Sequence, residues 1–160
     1  MDPLTAARDL VADRFPEAAW AILTGSVLGP MLAHGVPLLG DPGDLPARCA
    51  RVLADGPPPL TVAERDRLRY GLTDLIDDHR HAVEPGERTV IAAALWTETA
   101  KAALAFAGRW VSGGKWLLRE LRELDPDLAT RWLSARDEPA ALAEQVLAGG
   151  GGPLFDGYRA

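Results

Sequence analysis

The stretch TVAERDRLRYGLTDLIDDHRHAV, residues 61–83, decides the fold. Thr61 and Glu64 have the spacing of a capping box, in which each side chain binds the other residue's backbone N–H at a helix start. Leu68, Leu72, Leu75 or Ile76, and then His79 recur at helical spacing, so one stripe faces a core. Upstream, Pro57, Pro58 and Pro59 stop any preceding helix from running in. Downstream, Glu84, Pro85 and Gly86 make a turn into ERTVIAAALWTETAKAALAFAGRWVS, a second helix ended by Gly113 and Gly114. That helix is alanine-rich and apolar almost all round, which predicts a central, buried position. Glu98 interrupts its inward stripe, following Ile91, Ala94 and Leu95 at helical spacing. An inward carboxylate is costly unless paired, so Glu98 is the most informative residue of this half.

With 160 residues, 48% of them apolar, the chain can bury a sizeable core and is globular rather than disordered. The net charge of -6, with no basic run, argues against a nucleic-acid partner. A lone Cys49 excludes an internal disulfide and fits a reducing compartment. The opening MDPLTAARDL places acid before base without an apolar core, unlike a signal peptide. No apolar run approaches bilayer length. The expected address is cytoplasmic, with no membrane association.

Asp2 and Pro3 read as N-cap and first residue of an opening helix whose stripe is Leu4, Ala7, Val11 and Phe15. The run AAWAIL, residues 18–23, reads as a buried strand, followed by a tight turn at Thr24, Gly25 and Ser26 and about two helical turns from Val27 to His34. Val36 to Leu39 reads as a second strand, and Asp44 caps a helix through Ala54. After the two central helices, residues 115–124 form an amphipathic helix. Short helices then start at Asp125-Pro126 and at Asp137 to Pro139. The four glycines at 149–152 are too flexible for an element interior, and Leu154, Phe155 and Tyr158 can pack the tail back on the bundle.

The opening helix followed by AAWAILTGSVLGP resembles the start of the nucleotidyltransferase superfamily, which includes aminoglycoside adenylyltransferases. GVPLLGDP is similar to the strand closing their catalytic domain, and Gly113-Gly114-Lys115-Trp116 is similar to a junction in their helical C-terminal domain. The resemblance implies transfer of a nucleotidyl group from a nucleoside triphosphate to a small-molecule hydroxyl, with ATP and magnesium as cofactors where the site functions. It makes Gly25 and Ser26 nucleotide-binding, the glycine by close backbone approach and the serine by donating to phosphate oxygens. It makes Glu98 substrate-binding, since acids of the helical domain help hold polycationic acceptors in aminoglycoside-modifying relatives, and Lys115 substrate-binding through a nucleotide phosphate. The family pattern continues to a strand bearing two carboxylates one residue apart, which hold the metal ions. Here the nearest acids, Asp41 and Asp44, are three apart across Pro42 and Gly43, so strand periodicity cannot aim both at one metal. No catalytic or metal-ligating residue is assigned.

Each residue has a structural alternative. Gly25 and Ser26 suit a plain strand-to-helix turn. Glu98 can pair with Lys115, Arg69 or a histidine. Lys115, at a helix start, opposes the helix dipole and calls for an anionic partner, either Glu98 or a phosphate. Asp77 and His81 are one turn apart and could supply two metal ligands, but they also suit a solvated helix end. Cys49 lies in a helix between Arg48 and Arg51 with no histidine nearby in sequence, so a packing role outweighs a nucleophilic one.

The expectation is a mainly α protein: a helical bundle over 60–160 and a small, truncated nucleotidyltransferase-like α/β remnant over 1–56. Its function is degenerate nucleotidyltransferase or, alternatively, a non-enzymatic helical binding or dimerisation module. A remnant sheet leaves an edge and apolar surface uncovered, which predicts a homodimer. The other expected partner is a nucleotide or small-molecule ligand.

Overall fold

The computed structural model describes residues 2–23 and 35–155. The protein is mainly helical, with one two-stranded antiparallel sheet near its N-terminus. It divides into two compact units, Met1–Pro57 and Pro58–Ala160.

In the first unit, helix α1 (Pro3–Arg14) is capped by Asp2, whose carboxylate accepts from the Thr5 N–H at 3.3 Å. Strand β1 is Ala21–Leu23, so only the last half of the AAWAIL run is extended. It pairs with β2 (Val36–Leu39), with Ile22 opposite Pro37 and an irregularity between Ala21 and Ile22. Pro37 has no N–H to donate, which limits the ladder. Gly40 crosses so close to Ala19 that a Cβ would sit 2.0 Å from the Ala19 carbonyl oxygen. That contact, with its φ of 62°, requires glycine. The stripe expected of α1 is its least exposed face but is only half-buried: Leu4, Ala7 and Val11 are partly covered and Phe15 is exposed, and Leu38 of β2 is the unit's only buried apolar side chain among the described residues. Helix α2 (Leu45–Asp55) completes the unit. Asp44 precedes it without making a side-chain cap bond. The residues read as a helix from Val27 to His34 lie outside the described residues.

The second unit begins with α3 (Val62–His81), where the capping box forms: the Thr61 N–H donates to Glu64 at 2.8 Å and the Glu64 N–H to Thr61 Oγ1 at 3.2 Å. The Thr61 hydroxyl and backbone bonds hold the Glu64 carboxyl below its usual range. Helix α4 (Pro85–Phe106) starts inside the expected turn, because Glu84 accepts from the Gly86 and Glu87 N–H groups and serves as its N-cap. These two bonds lower the Glu84 pKa.

Helix α4 ends before Gly113. At Gly108 (φ 66°) the chain turns left-handed, the Gly108 N–H donates to the Ala105 carbonyl at 3.0 Å, and the Arg109 N–H donates to the Leu104 carbonyl at 2.9 Å. This is a Schellman motif, which satisfies carbonyls a helix end leaves unpaired. Helices α5 (Lys115–Leu124), α6 (Pro126–Ser134) and α7 (Ala140–Gly149) follow.

The core is built around α4, which packs against α3, α5 and α7. On one side Leu72, Ile76, Leu95, Ala143 and Leu147 are buried together; on the other, Leu104, Leu117, Leu121, Trp132 and Leu142. The buried residues of α4 are Ala92, Leu95, Thr99, Ala100, Ala102, Ala103 and Leu104, whereas Ala94 is exposed. Helices α4 and α6 are clasped by two tryptophans. The Trp96 Nε1–H donates to the Trp132 carbonyl at 2.7 Å and the Trp132 Nε1–H donates to the Trp96 carbonyl at 2.7 Å. Their rings stack with centroids 4.0 Å apart and planes 4° from parallel.

The four glycines form a structured end. Gly150 packs so tightly on Phe106 that a Cβ would lie 2.3 Å from the ring. A second Schellman motif follows, with the Gly152 N–H donating to the Leu147 carbonyl at 2.8 Å and Gly151 at a φ of 116°.

Candidate functional site

A concavity with an apolar floor lies between α3, α7 and residues 153–155, and holds about 250 Å³. Ile76, Leu147, Pro153 and Phe155 line its apolar part, while Asp77, Arg80 and Glu144 stand among its polar lining. Asp77 and Arg80 are a turn apart on α3, because helical spacing puts them on the same side as Thr73 and Ile76. Arg80 is already ion-paired with Glu144 of α7. Asp77 leaves one negative charge uncompensated among these three side chains, and its neighbour is His81, whose Nδ1 lies 3.3 Å from Asp77 Oδ1.

The third wall is held by α3. Arg69 donates from Nε to the Gly152 carbonyl at 2.8 Å and from Nη2 to the Pro153 carbonyl at 3.4 Å. Asp66 receives Arg69 Nη1 at 2.8 Å and orients the guanidinium. Arg65 donates to the Gly150 carbonyl at 3.3 Å. The Thr73 hydroxyl donates to the Arg69 carbonyl at 2.7 Å and accepts from the Leu154 N–H at 3.1 Å. The exit of α7 is therefore tied to α3 at several points, and Phe155 stands at the pocket with most of its ring exposed.

Beyond the pocket, α3 ends in a buried titratable group. His79 is 1% exposed, and its Nε2 has no hydrogen-bond partner; Glu138 Oε2 is 4.0 Å away. Burial lowers the His79 pKa, the Arg88 guanidinium lowers it further, and Glu138 opposes them. Arg88 donates to the His79 carbonyl at 3.4 Å and pairs with Glu138 at 3.1 Å. The histidine expected on the core-facing stripe is therefore buried.

The residues singled out from sequence are not assembled into one site. Gly25 and Ser26 lie outside the described residues. Glu98 does not point inward as expected. It is partly exposed and pairs with Lys101, one turn on, at 2.7 Å. An alanine-rich helix offers several equivalent stripes, and the packing of α3 and α7 selects the one through Leu95 and Thr99 instead. Lys115 is exposed at the start of α5, and no hydrogen bond or ion pair joins it to Glu98. Asp77 and His81 do meet on one face of α3, yet among the described residues no group of three His, Cys, Asp or Glu side chains is placed to hold a metal ion. Cys49 is a partly buried free thiol on α2.

Sequence reasoning missed the anchoring of the tail by Arg65 and Arg69. Its signal was present in two arginines four residues apart on α3, facing a glycine run whose carbonyls no side chain shields. Among the described residues no helix is long and apolar enough to cross a membrane. No family model, no curated protein and no solved structure matches the chain.

Proposed function

We propose that the chain is a non-enzymatic helical binding module whose bundle takes a small amphipathic cation between α3, α7 and the tail. The observation that carries this reading is the pocket itself: an apolar floor whose charged lining comprises two carboxylates and one arginine that is already paired. Small-molecule sites combine mostly apolar walls with a few oriented polar groups, and Asp77 is placed to receive an ammonium while the hydrocarbon contacts Ile76 and Leu147. The test is a titration with 3-phenylpropylamine and with 3-phenylpropanol, followed by amide shifts of residues 73–80 and 144–148. The amine binds more tightly than the alcohol, and Asp77→Asn removes the difference. Equal binding of the two probes rejects the reading.

Self-association belongs to the same proposal. Among the described residues of the first unit, Leu10, Phe15, Trp20, Val36 and Val52 are exposed, and β1 and β2 form a sheet of only two strands. Two strands are marginal alone and gain from added packing. A second copy of the chain is the partner that supplies it. Light scattering across a concentration series then shows a dimer, and a monomer at every concentration ends that part of the proposal.

A second reading, descent from the nucleotidyltransferases with loss of the metal-binding strand, is supported by the antiparallel pairing of β1 with β2 on either side of the Gly25-Ser26 segment. Calorimetry with ATP in the presence and absence of magnesium tests it. Metal-dependent binding that Ser26→Ala abolishes supports a surviving nucleotide site.

A further inference from the structure

We infer that the bundle carries a second ligand site, for a small carboxylic acid with an apolar body, in the groove between the C-terminal part of α4, α6 and α7. This groove of about 330 Å³ is separate from the proposed cation pocket and is lined by Phe106, Leu128, Leu142 and Val146, with Arg131 and Gln145 among its polar lining. Arg131 is the only charged side chain in its lining. Its guanidinium donates from Nη1 to Gln145 Oε1 at 2.7 Å, a neutral acceptor, and forms no ion pair among the described residues.

This distinguishes Arg131 from the ion-paired arginines of the bundle. Arg69, Arg80, Arg88 and Arg109 each face a carboxylate. Arg131 retains donors for a carboxylate, which a guanidinium binds through two parallel N–H bonds. A second cation touches the same aromatic residue: the Arg65 guanidinium lies 5.5 Å from the centroid of the Phe106 ring. The groove therefore favours an anion, whereas the α3–α7 pocket favours a cation.

A second observation points to a ligand with an apolar body. Leu128, Leu142 and Val146 also border a gap, too small for a water molecule, that Leu121 and Trp132 line as well. Side chains over such a void lack contacts on one side. Small shifts of these side chains into the gap would let an inserted hydrocarbon approach the floor more closely. Phe106 cannot give way in the same manner, because Gly150 packs against its ring.

The experiment is a titration of the full chain with 4-phenylbutyrate and with 4-phenylbutyramide, read by methyl NMR. Saturable shifts are expected at Leu128, Leu142 and Val146, with the amide binding about tenfold more weakly because it lacks the charge. Arg131→Gln is expected to weaken the acid about tenfold and leave the amide unchanged. Gln145→Glu gives the guanidinium an internal carboxylate and should produce a similar loss. Both positions are exposed, and a dispersed spectrum verifies that each variant is folded. Equal affinity for acid and amide, an unchanged affinity in Arg131→Gln, shifts confined to residues 73–80, or no saturable shift would each overturn the inference. Failure of the amine titration at Asp77 leaves this result independent.

Discussion

The two units are built from similar local signals and reach very different densities. Both have a proline at a helix start, a preceding Asp, Glu or Thr, and stripes of leucine, valine and alanine. Residues 58–160 remove Leu95, Leu104 and Leu121 entirely from solvent, whereas among the described residues of 1–57 only Leu38 is a buried apolar side chain. Capping and turn chemistry specify where helices start, but a core also needs enough faces to enclose it. Around α4 stand α3, α5 and α7, with α6 joined to it by the tryptophan pair; in the first unit α1 and α2 bury no residue fully.

The largest test of this contrast separates the units. Expressed alone, residues 58–160 should keep a cooperative thermal transition and strong helical circular dichroism, and residues 1–57 should show neither. A cooperative transition in the shorter piece would mean that its described elements understate its core. Next in size are leucine truncations. Leu104→Ala should destabilise the bundle by about 3 kcal/mol in denaturant unfolding, while Leu10→Ala in α1 should change stability by less than about 0.5 kcal/mol. A loss at Leu10 as large as that at Leu104 would break the comparison.

The third test concerns pH: among the described residues the buried imidazole is that of His79, in the second unit. His79 faces Arg88 and Glu138, and its pKa is lowered from the usual 6.5, first by burial. The unfolded chain then binds a proton that the folded chain resists. The stabilisation due to neutral His79 is complete above pH 6.5 and declines as pH falls below that value towards the lowered folded pKa. Unfolding free energies measured across this range should fall on acidification, and His79→Gln should flatten that step. A step of equal size in the variant would assign it elsewhere.

The smallest effect concerns two helix starts. Thr61→Ala removes a capping box and should cost about 1 kcal/mol. Asp44→Ala, at a position that makes no side-chain cap bond, should cost almost nothing. Equal losses would show that Asp44 caps α2 in solution after all.

Much of the bundle was legible because its signals are local. The Thr61 to Glu64 spacing, the Asp125-Pro126 start and the stripe through Leu72, Ile76 and His79 each depend on residues within a few positions of one another. The end of α4 was misread because Gly108 lies within an apolar stretch, where a lone glycine is a weaker stop than the Gly113-Gly114 pair beyond it. Glu98 was misplaced because alanine on nearly every side leaves the orientation of α4 to its neighbours. The candidate sites were less legible than the fold. The α3–α7 pocket joins Asp77 to Glu144, and the groove joins Phe106 to Arg131 and Gln145, contacts made by tertiary packing that no sequence window contains. The glycine run read as slack because its requirement comes from a distant ring, that of Phe106.

The bonds from Arg65 and Arg69 to residues 150–153 have a topological consequence. They bring the point where the chain leaves α7 beside the first turns of α3, so the bundle's entry and exit are neighbours and its path is nearly a ring. Such a path can be cut elsewhere and rejoined here. A permutant opened between Gly108 and Gly114, with a short linker joining residue 153 to residue 60, would preserve every helix while changing their order along the chain.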